Sequence, residues 1–239
     1  TFKPVYLLYG EEAFLKQSYK KKLRAAISGD DTMNYNYFEG KGLDVNELIS
    51  LADTMPFFSE RRLILIEDSG FFKTSSEALA EYLPMMPDTT CIVFVEEAVD
   101  KRNKLYKKVK DLVHIAEMKR QDSAQLARWA ATILAQNGRK ITPSTMNLFL
   151  ERVGDDMENI RMELEKLISY TMGSEVVTAE DVKAITTVQI TNKIFDMVAA
   201  ITAGKTKRAM DLYEDLLTLR EPPMRILFLI ARQFNQLLL

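Results

Sequence analysis

One cysteine, Cys91, and one histidine, His114, are all that this 239-residue chain has of the two side chains most used for soft metals and nucleophilic chemistry. A single cysteine closes no internal disulfide, and one Cys with one His cannot complete a tetrahedral zinc site. Both lie in apolar, strand-like runs, so their expected role is packing, since a buried free thiol behaves as a small hydrophobe. Disulfide-free usage fits the cytosol. Also missing is any apolar stretch of the ~18–20 residues that a membrane span needs. No signal-peptide pattern opens the sequence as it stands, which starts at Thr1. Charge of one sign is not in excess either. The formal net charge is -2, which excludes the overall basic field of a dedicated nucleic-acid binder. Patterns such as G-x-S-x-G and H-E-x-x-H do not occur. No catalytic residue, metal ligand or cofactor is therefore assigned.

What the chain does have is apolar and charged side chains together, 47% and 28% of the residues. That is ordinary globular usage, over a length that suggests two or three domains. The first half alternates between two periods. Val5-Tyr6-Leu7-Leu8-Tyr9 is a β-rich run closed by Gly10, after which Phe14, Leu15, Tyr19 and Leu23 recur at helical spacing. Residues 34–38 read as a second strand, and Val45, Leu48, Ile49 and Ala52 as one face of a helix. The runs 63–66 and 91–95 are wholly apolar and end in the acid pairs Glu67-Asp68 and Glu96-Glu97, and 113–116 is a fainter fifth run. Helical stretches at 76–85 and 101–110 fall between the last three. Apolar strands alternating with helices predict a parallel sheet with helices on both faces, in an α/β domain ending near residue 120.

From Asp122 onward only helical periodicity is found. Asn137-Gly138 stops the first helix, and Thr142-Pro143 opens the next with a cap and a proline at its first position. Gly154-Asp155 precedes a helix over 157–170, and Thr178 with Asp181 is similar to a capping box. After Gln189 comes a third group over 191–203, 206–219 and, past Pro222-Pro223, 224–239. The expected organisation is an α/β domain over 1–120, a small helical domain over 121–189 and a further helical domain over 190–239. Because the sequence closes on Leu237-Leu238-Leu239, that last domain is expected to be incomplete.

Strand, glycine, helix is the setting of a phosphate-binding loop, G-x-x-x-x-G-K-[ST]. Here the segment is Gly10-Glu11-Glu12-Ala13-Phe14-Leu15-Lys16-Gln17. Gly10 and Lys16 are in register, but Leu15 replaces the second glycine and Gln17 replaces the hydroxyl that binds Mg²⁺. Glu11 and Glu12 would lie where triphosphate lies, a repulsion on the order of several kcal/mol in a partly buried site. The loop is therefore not expected to bind nucleotide. A plainer reading is compatible with this one: Gly10 closes the strand, and the glutamates favour the helix N-terminus. Glu96-Glu97 stand where a Walker B pair would hold Mg²⁺, and without a sound loop they receive no catalytic role.

Met55-Pro56-Phe57-Phe58 needs an explanation. Pro56 stops the preceding helix, which leaves two aromatics on a turn followed by Glu60, Arg61 and Arg62. Loops run over the surface, and each large apolar side chain gains roughly 1.5–3 kcal/mol on burial, the scale of an interface hot spot. Spacing alone favours the aromatics folding back into their own core, with a partner's pocket as the other fate. Lys16, Lys20, Lys21, Lys22 and Arg24, and again Lys101, Arg102, Lys104, Lys107, Lys108 and Lys110, could meet phosphate. With acids elsewhere balancing them, solvated faces are the better reading. Arg161, Glu163, Glu165 and Lys166, interleaved with Met162, Leu164 and Leu167, form an amphipathic pattern with ion pairs.

Taken in order, four segments resemble the delta-subunit family of the bacterial DNA polymerase III clamp loader, its Gram-positive versions above all. They are Pro4-Val5-Tyr6-Leu7-Leu8-Tyr9-Gly10-Glu11-Glu12 with Phe14-Leu15, Phe57-Phe58-Ser59-Glu60-Arg61-Arg62-Leu63, Asp100-Lys101-Arg102-Asn103-Lys104-Leu105, and Met162-Glu163-Leu164-Glu165-Lys166-Leu167. Order and spacing, more than any single motif, make the match specific. The resemblance implies an AAA+-type domain carrying a degenerate phosphate loop, a lid-like helical domain, and a helical collar that assembles with delta-prime and gamma/tau subunits. It implies a cytoplasmic subunit of the polymerase holoenzyme with no ATP hydrolysis of its own. Its loop would enter the peptide-binding pocket of the sliding clamp, the beta subunit, so that the ring opens for loading onto primed DNA. The family's hydrophobic-x-hydrophobic-hydrophobic wedge falls on Met55, Phe57 and Phe58, which on this reading are exposed. Pro56 in the spacer position stiffens the loop, and Arg61 is expected to orient it or to meet an acid on the clamp. Two rivals remain, a divergent ATPase using Lys16 with Glu96 or Glu97, and a stand-alone DNA-binding module on the 101–110 stretch.

Overall fold

The apolar runs of the first half lie side by side. In the computed structural model, which describes residues 2–74, 76–110, 114–186, 190–218 and 222–237, they are Val5–Tyr9 (β1), Tyr35–Glu39 (β2), Arg62–Glu67 (β3), Thr90–Glu96 (β4) and His114–Glu117 (β5). They form one five-stranded sheet in the order β2-β3-β4-β1-β5, with every neighbouring pair parallel. The central strands β1 and β4 are buried along their whole length, and β3 along all but its last residue. That is why their sequences show no alternation: both faces of a parallel sheet are covered.

Successive side chains feed two separate cores. Val5, Leu7, Ile64, Ile66, Ile92 and Phe94 point to one face, where Leu48 and Ala52 of Val45–Ala52 (α2), Leu79 of Glu77–Tyr82 (α3) and Leu105 and Val109 of Lys104–Val109 (α4) meet them. Leu8, Leu63, Leu65, Cys91 and Val93 point to the other face, where Leu15, Leu23 and Ile27 of Ala13–Ile27 (α1) pack. Helices on both faces follow from connecting parallel strands, each of which needs a crossover. Cys91 is fully buried, and desolvation pushes its thiol up to about 12, so it packs as an inert hydrophobe.

Several expectations shift. His114 is exposed, not buried, with its ring centroid 5.9 Å from that of Tyr6, because β5 is an edge strand and only part of it is covered. The expected strand start at Val113 lies outside the described residues. The helix expected over 101–110 begins only at Lys104, because Asn103 caps it, its Oδ1 accepting from the Leu105 N–H at 2.8 Å. The stretch over 76–85 is helical to Tyr82 and then tightens into a 3₁₀ turn over Leu83–Met85, with Pro84 inside it.

The chain divides into two compact units, Thr1–Arg120 and Gln121–Leu239. The second holds Ser123–Gln136 (α5), Pro143–Val153 (α6), Met157–Tyr170 (α7), Ala179–Ile185 (α8), Ile190–Thr202 (α9), Thr206–Thr218 (α10) and Pro223–Leu237 (α11). Its helix starts follow the caps: Asp122 and Gln125 form a capping box on α5, Thr142 caps α6 ahead of Pro143, and Thr178 with Asp181 forms the box on α8. Leu126, Leu134, Phe149, Ile160, Leu164 and Leu167 fill the core of the first four helices. Ile194, Met197, Ala200, Ala209, Leu216 and Ile226 form a separate cluster among α9, α10 and α11. A short parallel pair, Lys140–Ile141 (β6) with Val176–Val177 (β7), interrupts the helices. At two residues each, neither strand is long enough to show a period. The expected boundary at Gln189 and the closing Leu238 and Leu239 lie outside the described residues. Among the described residues, no helix is long and apolar enough to cross a membrane.

Phe94 lies on the central strand β4, fully buried and edge-to-face with Phe72 at 5.2 Å between ring centroids. Phe94→Ala is expected to lower the unfolding free energy by about 3–5 kcal/mol through lost transfer energy and a cavity. Urea denaturation of the two forms measures it, and a loss below ~1 kcal/mol would contradict close packing at this position.

Candidate functional site

The first unit has two unusual places, at opposite ends of its sheet. At the carboxyl ends, Gly10 follows β1 with φ 124°, a conformation that L side chains rarely adopt. A Cβ there would come within 2.4 Å of the Met118 carbonyl oxygen. The turn is tied down on both sides: the Gly10 N–H donates to the Glu97 carbonyl at 3.2 Å, the Glu12 N–H to the Met118 carbonyl at 3.0 Å, and the Met118 N–H to the Tyr9 carbonyl at 2.6 Å. The Glu12 carboxylate accepts from the Phe14 N–H at 3.2 Å and so caps α1. A helix N-terminus in this setting is where a phosphate would bind, and here the chain's own carboxylate occupies it.

The other members of the degenerate loop are engaged elsewhere. Leu15 packs into the core beneath the sheet, and Gln17 is exposed. Lys16 Nζ donates to the Glu96 carbonyl at 3.4 Å, and Lys20, one turn further on, pairs with the Glu67 carboxylate. Two lysines on one face of α1 thus cap the carboxyl ends of β4 and β3. Glu96 is buried; its carboxylate accepts from the Ser69 hydroxyl and from the Ser69 and Gly70 N–H groups. Burial raises its pKa, and those hydrogen bonds hold it partly back. Glu96 therefore anchors the turn after β3, while Glu97 is exposed.

The other lysine-rich stretch is half spent in ion pairs. Lys101 meets Glu117 at 3.4 Å, Arg102 meets Asp100 at 3.1 Å, and Lys104 meets Glu77 at 2.9 Å. Lys107, Lys108 and Lys110 are exposed. Among the described residues, no group of three or more His, Cys, Asp or Glu is placed to hold a metal ion.

At the amino ends of the strands lies the loop from α2 to β3. Met55 is 75% exposed, Phe57 56% and Phe58 95%. The fold-back favoured by spacing does not occur. The two phenyl rings meet edge-to-face at 4.5 Å, and Phe58 has φ 50°. The stem is fixed by polar side chains. Thr90 Oγ1 donates to the Ala52 carbonyl at 2.7 Å, and the Tyr82 hydroxyl to Asp53 at 2.6 Å. The buried Arg62 donates through Nε to the Thr54 carbonyl at 3.2 Å and through Nη2 to the Met55 carbonyl at 3.4 Å, and its Nη1 reaches Asn36 Oδ1 at 3.0 Å. Asn34, wholly buried, holds the backbone of Phe57. Its neighbour Asp31 has a carboxyl kept below the usual carboxylate range by the side-chain and backbone donors of Asn34. Arg61, expected to orient the loop or to meet an acid on the clamp, has its guanidinium 5.9 Å from the Phe2 ring centroid; the loop carbonyls of Thr54 and Met55 are held by Arg62. Asn34 and Arg62 escape sequence reasoning because an Asn before one apolar run and an Arg at the start of another are common features.

A parallel β2-β3-β4-β1-β5 sheet with a strand–glycine–helix turn after β1 and helices on both faces, followed along the chain by helical segments, is the expected α/β domain with all-α segments after it. Two family models match the chain: "DNA polymerase III, delta subunit" over residues 6–119, and "DNA polymerase III delta subunit, C-terminal domain" over residues 191–239. DNA polymerase III subunit delta of Bacillus subtilis (strain 168) is 25% identical over an alignment of 248 residues, gaps included, that covers 98% of this chain and 72% of that protein. The probable DNA polymerase III subunit delta of Aquifex aeolicus (strain VF5) is 19% identical over an alignment of 240 residues that covers 95% of this chain and 67% of that one. The solved structure of a Bacillus subtilis DNA clamp loader delta protein superposes with a TM-score of 0.76 at 25% identity, covering 97% of this chain and 72% of that one. The chain belongs to the DNA polymerase III delta-subunit family.

Gly10→Ala is expected to lower stability by about 1–3 kcal/mol, from left-handed backbone strain and collision with the Met118 carbonyl. A variant with the wild-type urea midpoint would show that the turn is free to move away from Met118.

Proposed function

We propose that this chain is the clamp-gripping subunit of a clamp loader, binding the sliding clamp (the beta subunit) through Met55, Phe57 and Phe58 and opening its ring without hydrolysing ATP itself. The observation that carries the reading is the pairing of exposure with rigidity. Three large apolar side chains stand in water on a loop whose backbone is fixed by the buried Asn34 and Arg62. Exposed apolar clusters of this kind mark interaction sites, and a pre-ordered loop spends little of its binding energy on ordering itself. Each aromatic gains roughly 1.5–3 kcal/mol on burial in a pocket, so the wedge alone can supply the core of a stable grip. Arg61, beside it, would meet an acid on the clamp.

The carboxyl end of the sheet supports the non-hydrolysing part of the reading. Glu12 caps the helix, Leu15 is core, and Lys16 is directed at the Glu96 carbonyl. These groups fill the positions where an ATPase needs a phosphate cradle and a free lysine. The helix-capping Glu12 and the engaged Lys16 speak against the divergent-ATPase reading, and pairing of Lys101, Arg102 and Lys104 with acids leaves the stand-alone DNA module only Lys107, Lys108 and Lys110 as unpaired exposed cations of its stretch among the described residues. In the full account, residues 121–189 form the lid-type domain and residues 190–239 begin the collar that assembles with delta-prime and gamma/tau subunits. Primed DNA is met through the assembled cytoplasmic loader. ATP-driven changes in the neighbouring subunits expose or hide the wedge, a shift of populations.

Binding of purified sliding clamp in the absence of ATP tests this. Phe57→Ala/Phe58→Ala is expected to lose ~2–4 kcal/mol of binding free energy while staying folded, as truncation of paired hot-spot residues does. Equal binding by the wild-type chain and the folded double variant would refute the assignment.

A further inference from the structure

A loop that carries bulky apolar side chains into water tends to collapse or to sample many conformations. This one has its stem held by Arg62 and its first aromatic held by a buried amide. Asn34 stands one residue before β2, and its backbone carbonyl accepts from the Leu63 N–H at 2.8 Å, continuing the hydrogen bonding to β3. Its side chain serves the loop. The Phe57 N–H donates to Asn34 Oδ1 at 2.7 Å, and Asn34 Nδ2 donates to the Phe57 carbonyl at 2.8 Å. One acceptor and one donor presented to one residue reproduce the paired bonds that two residues exchange in an antiparallel sheet. The remaining amide hydrogen goes to Asp31 Oδ2 at 2.7 Å, while Asp31 Oδ1 accepts the Met33 and Asn34 N–H groups at 2.8 and 3.1 Å. That network fixes which way the amide faces. A flipped amide would set its NH₂ against the Phe57 N–H and its oxygen against the Asp31 carboxylate.

With Phe57 pinned and β3 starting at Arg62, Phe58 is left at the apex with φ 50°, a region that bulky residues rarely enter. The Thr54 and Met55 carbonyls are already taken by Arg62. We infer that Asn34 is the positioning residue of the clamp-gripping loop: it uses both backbone groups of Phe57 to set a left-handed apex, so that the partner reads the loop through side chains and not by strand addition. This rests on the functional reading above for the identity of the partner. It goes beyond that reading in assigning the loop's shape, and hence much of its affinity, to a residue that touches no partner. A linear peptide spanning residues 53–61 carries every wedge side chain but lacks both Asn34 and Arg62, and so has to order itself on binding.

Two readouts separate the positioning role from a merely structural one. The first needs no partner. By hydrogen exchange, the residue-57 amide of the wild-type chain is expected to exchange at least ~10-fold more slowly than in the 53–61 peptide, and to lose that protection in Asn34→Ala. In Phe57→Ala/Phe58→Ala the residue-57 amide keeps its protection although the apolar contacts are gone. The second is affinity for purified sliding clamp without nucleotide: Asn34→Ala and the peptide should each bind ~10–100-fold more weakly than the wild-type chain. An unprotected residue-57 amide in the wild-type chain overturns the inference, as does a folded Asn34→Ala that binds clamp as tightly as wild type. If Asn34→Ala does not fold, Asn34→Ser, which cannot span both backbone groups of Phe57, takes its place with the same expected losses, and a folded Asn34→Ser with wild-type protection and affinity overturns the inference. A wild-type chain that binds no clamp refutes the choice of partner, and the exchange result then decides the role of Asn34 by itself.

Discussion

Every strand of the main sheet runs in the same direction, and that constraint sets the chemistry of both ends of the domain. Parallel strands joined by crossovers leave all their strand-to-helix turns at one end and all their helix-to-strand loops at the other. The carboxyl end is where α/β sheets ordinarily take ligands. In this chain it is filled from within, by Met118 against Gly10, by the Glu12 carboxylate on α1, and by Lys16 and Lys20 on the ends of β4 and β3. The amino end carries the exposed apolar loop. The end of the sheet that ordinarily takes ligands is thus closed from within, and the exposed loop stands at the opposite end.

One strand joins the two ends. Arg62 opens β3 and holds the loop carbonyls, and Glu67 closes it and pairs with Lys20 of α1. At ~3.3 Å per residue the two anchors lie roughly 17 Å apart, with the fully buried Leu63, Ile64, Leu65 and Ile66 between them. Burying a guanidinium is favourable only when its donors are used. Arg62 is bonded to Thr54, Met55 and Asn36, so the loop stem and the charge that holds it stabilise each other. Close packing of the same strand on both faces explains why an exposed loop can keep one shape.

Much of this was legible in the sequence, because burial on two faces forces apolar runs such as 63–66 and 91–95, and because Asp122, Thr142 and Thr178 announce helix starts by their side-chain chemistry. The departures of Leu15 and Gln17 from a phosphate-binding loop are plain in the sequence, whereas the engagement of Lys16 with the Glu96 carbonyl is not. The exposure of Phe57 and Phe58 could not be read from spacing, since an aromatic on a turn is as well placed to fold inward as outward. Only the resemblance to a family pointed outward. Two features were illegible for physical reasons. Asn34 and Arg62 each act through two hydrogen bonds to loop backbone atoms, 23 residues away for Asn34 and 8 and 7 for Arg62, and such bonds leave no periodic trace. His114 was misread because an edge strand and a central strand carry similar short apolar runs.

The central claim is that the amino-end loop, and not the relict phosphate turn, is the working surface. The most direct measurement is a residue-level protection map of the chain on addition of purified sliding clamp without nucleotide. The account predicts new protection centred on Met55, Phe57 and Phe58, with the Gly10–Gln17 segment unchanged. Protection that falls on the phosphate turn, or that requires ATP, would contradict it.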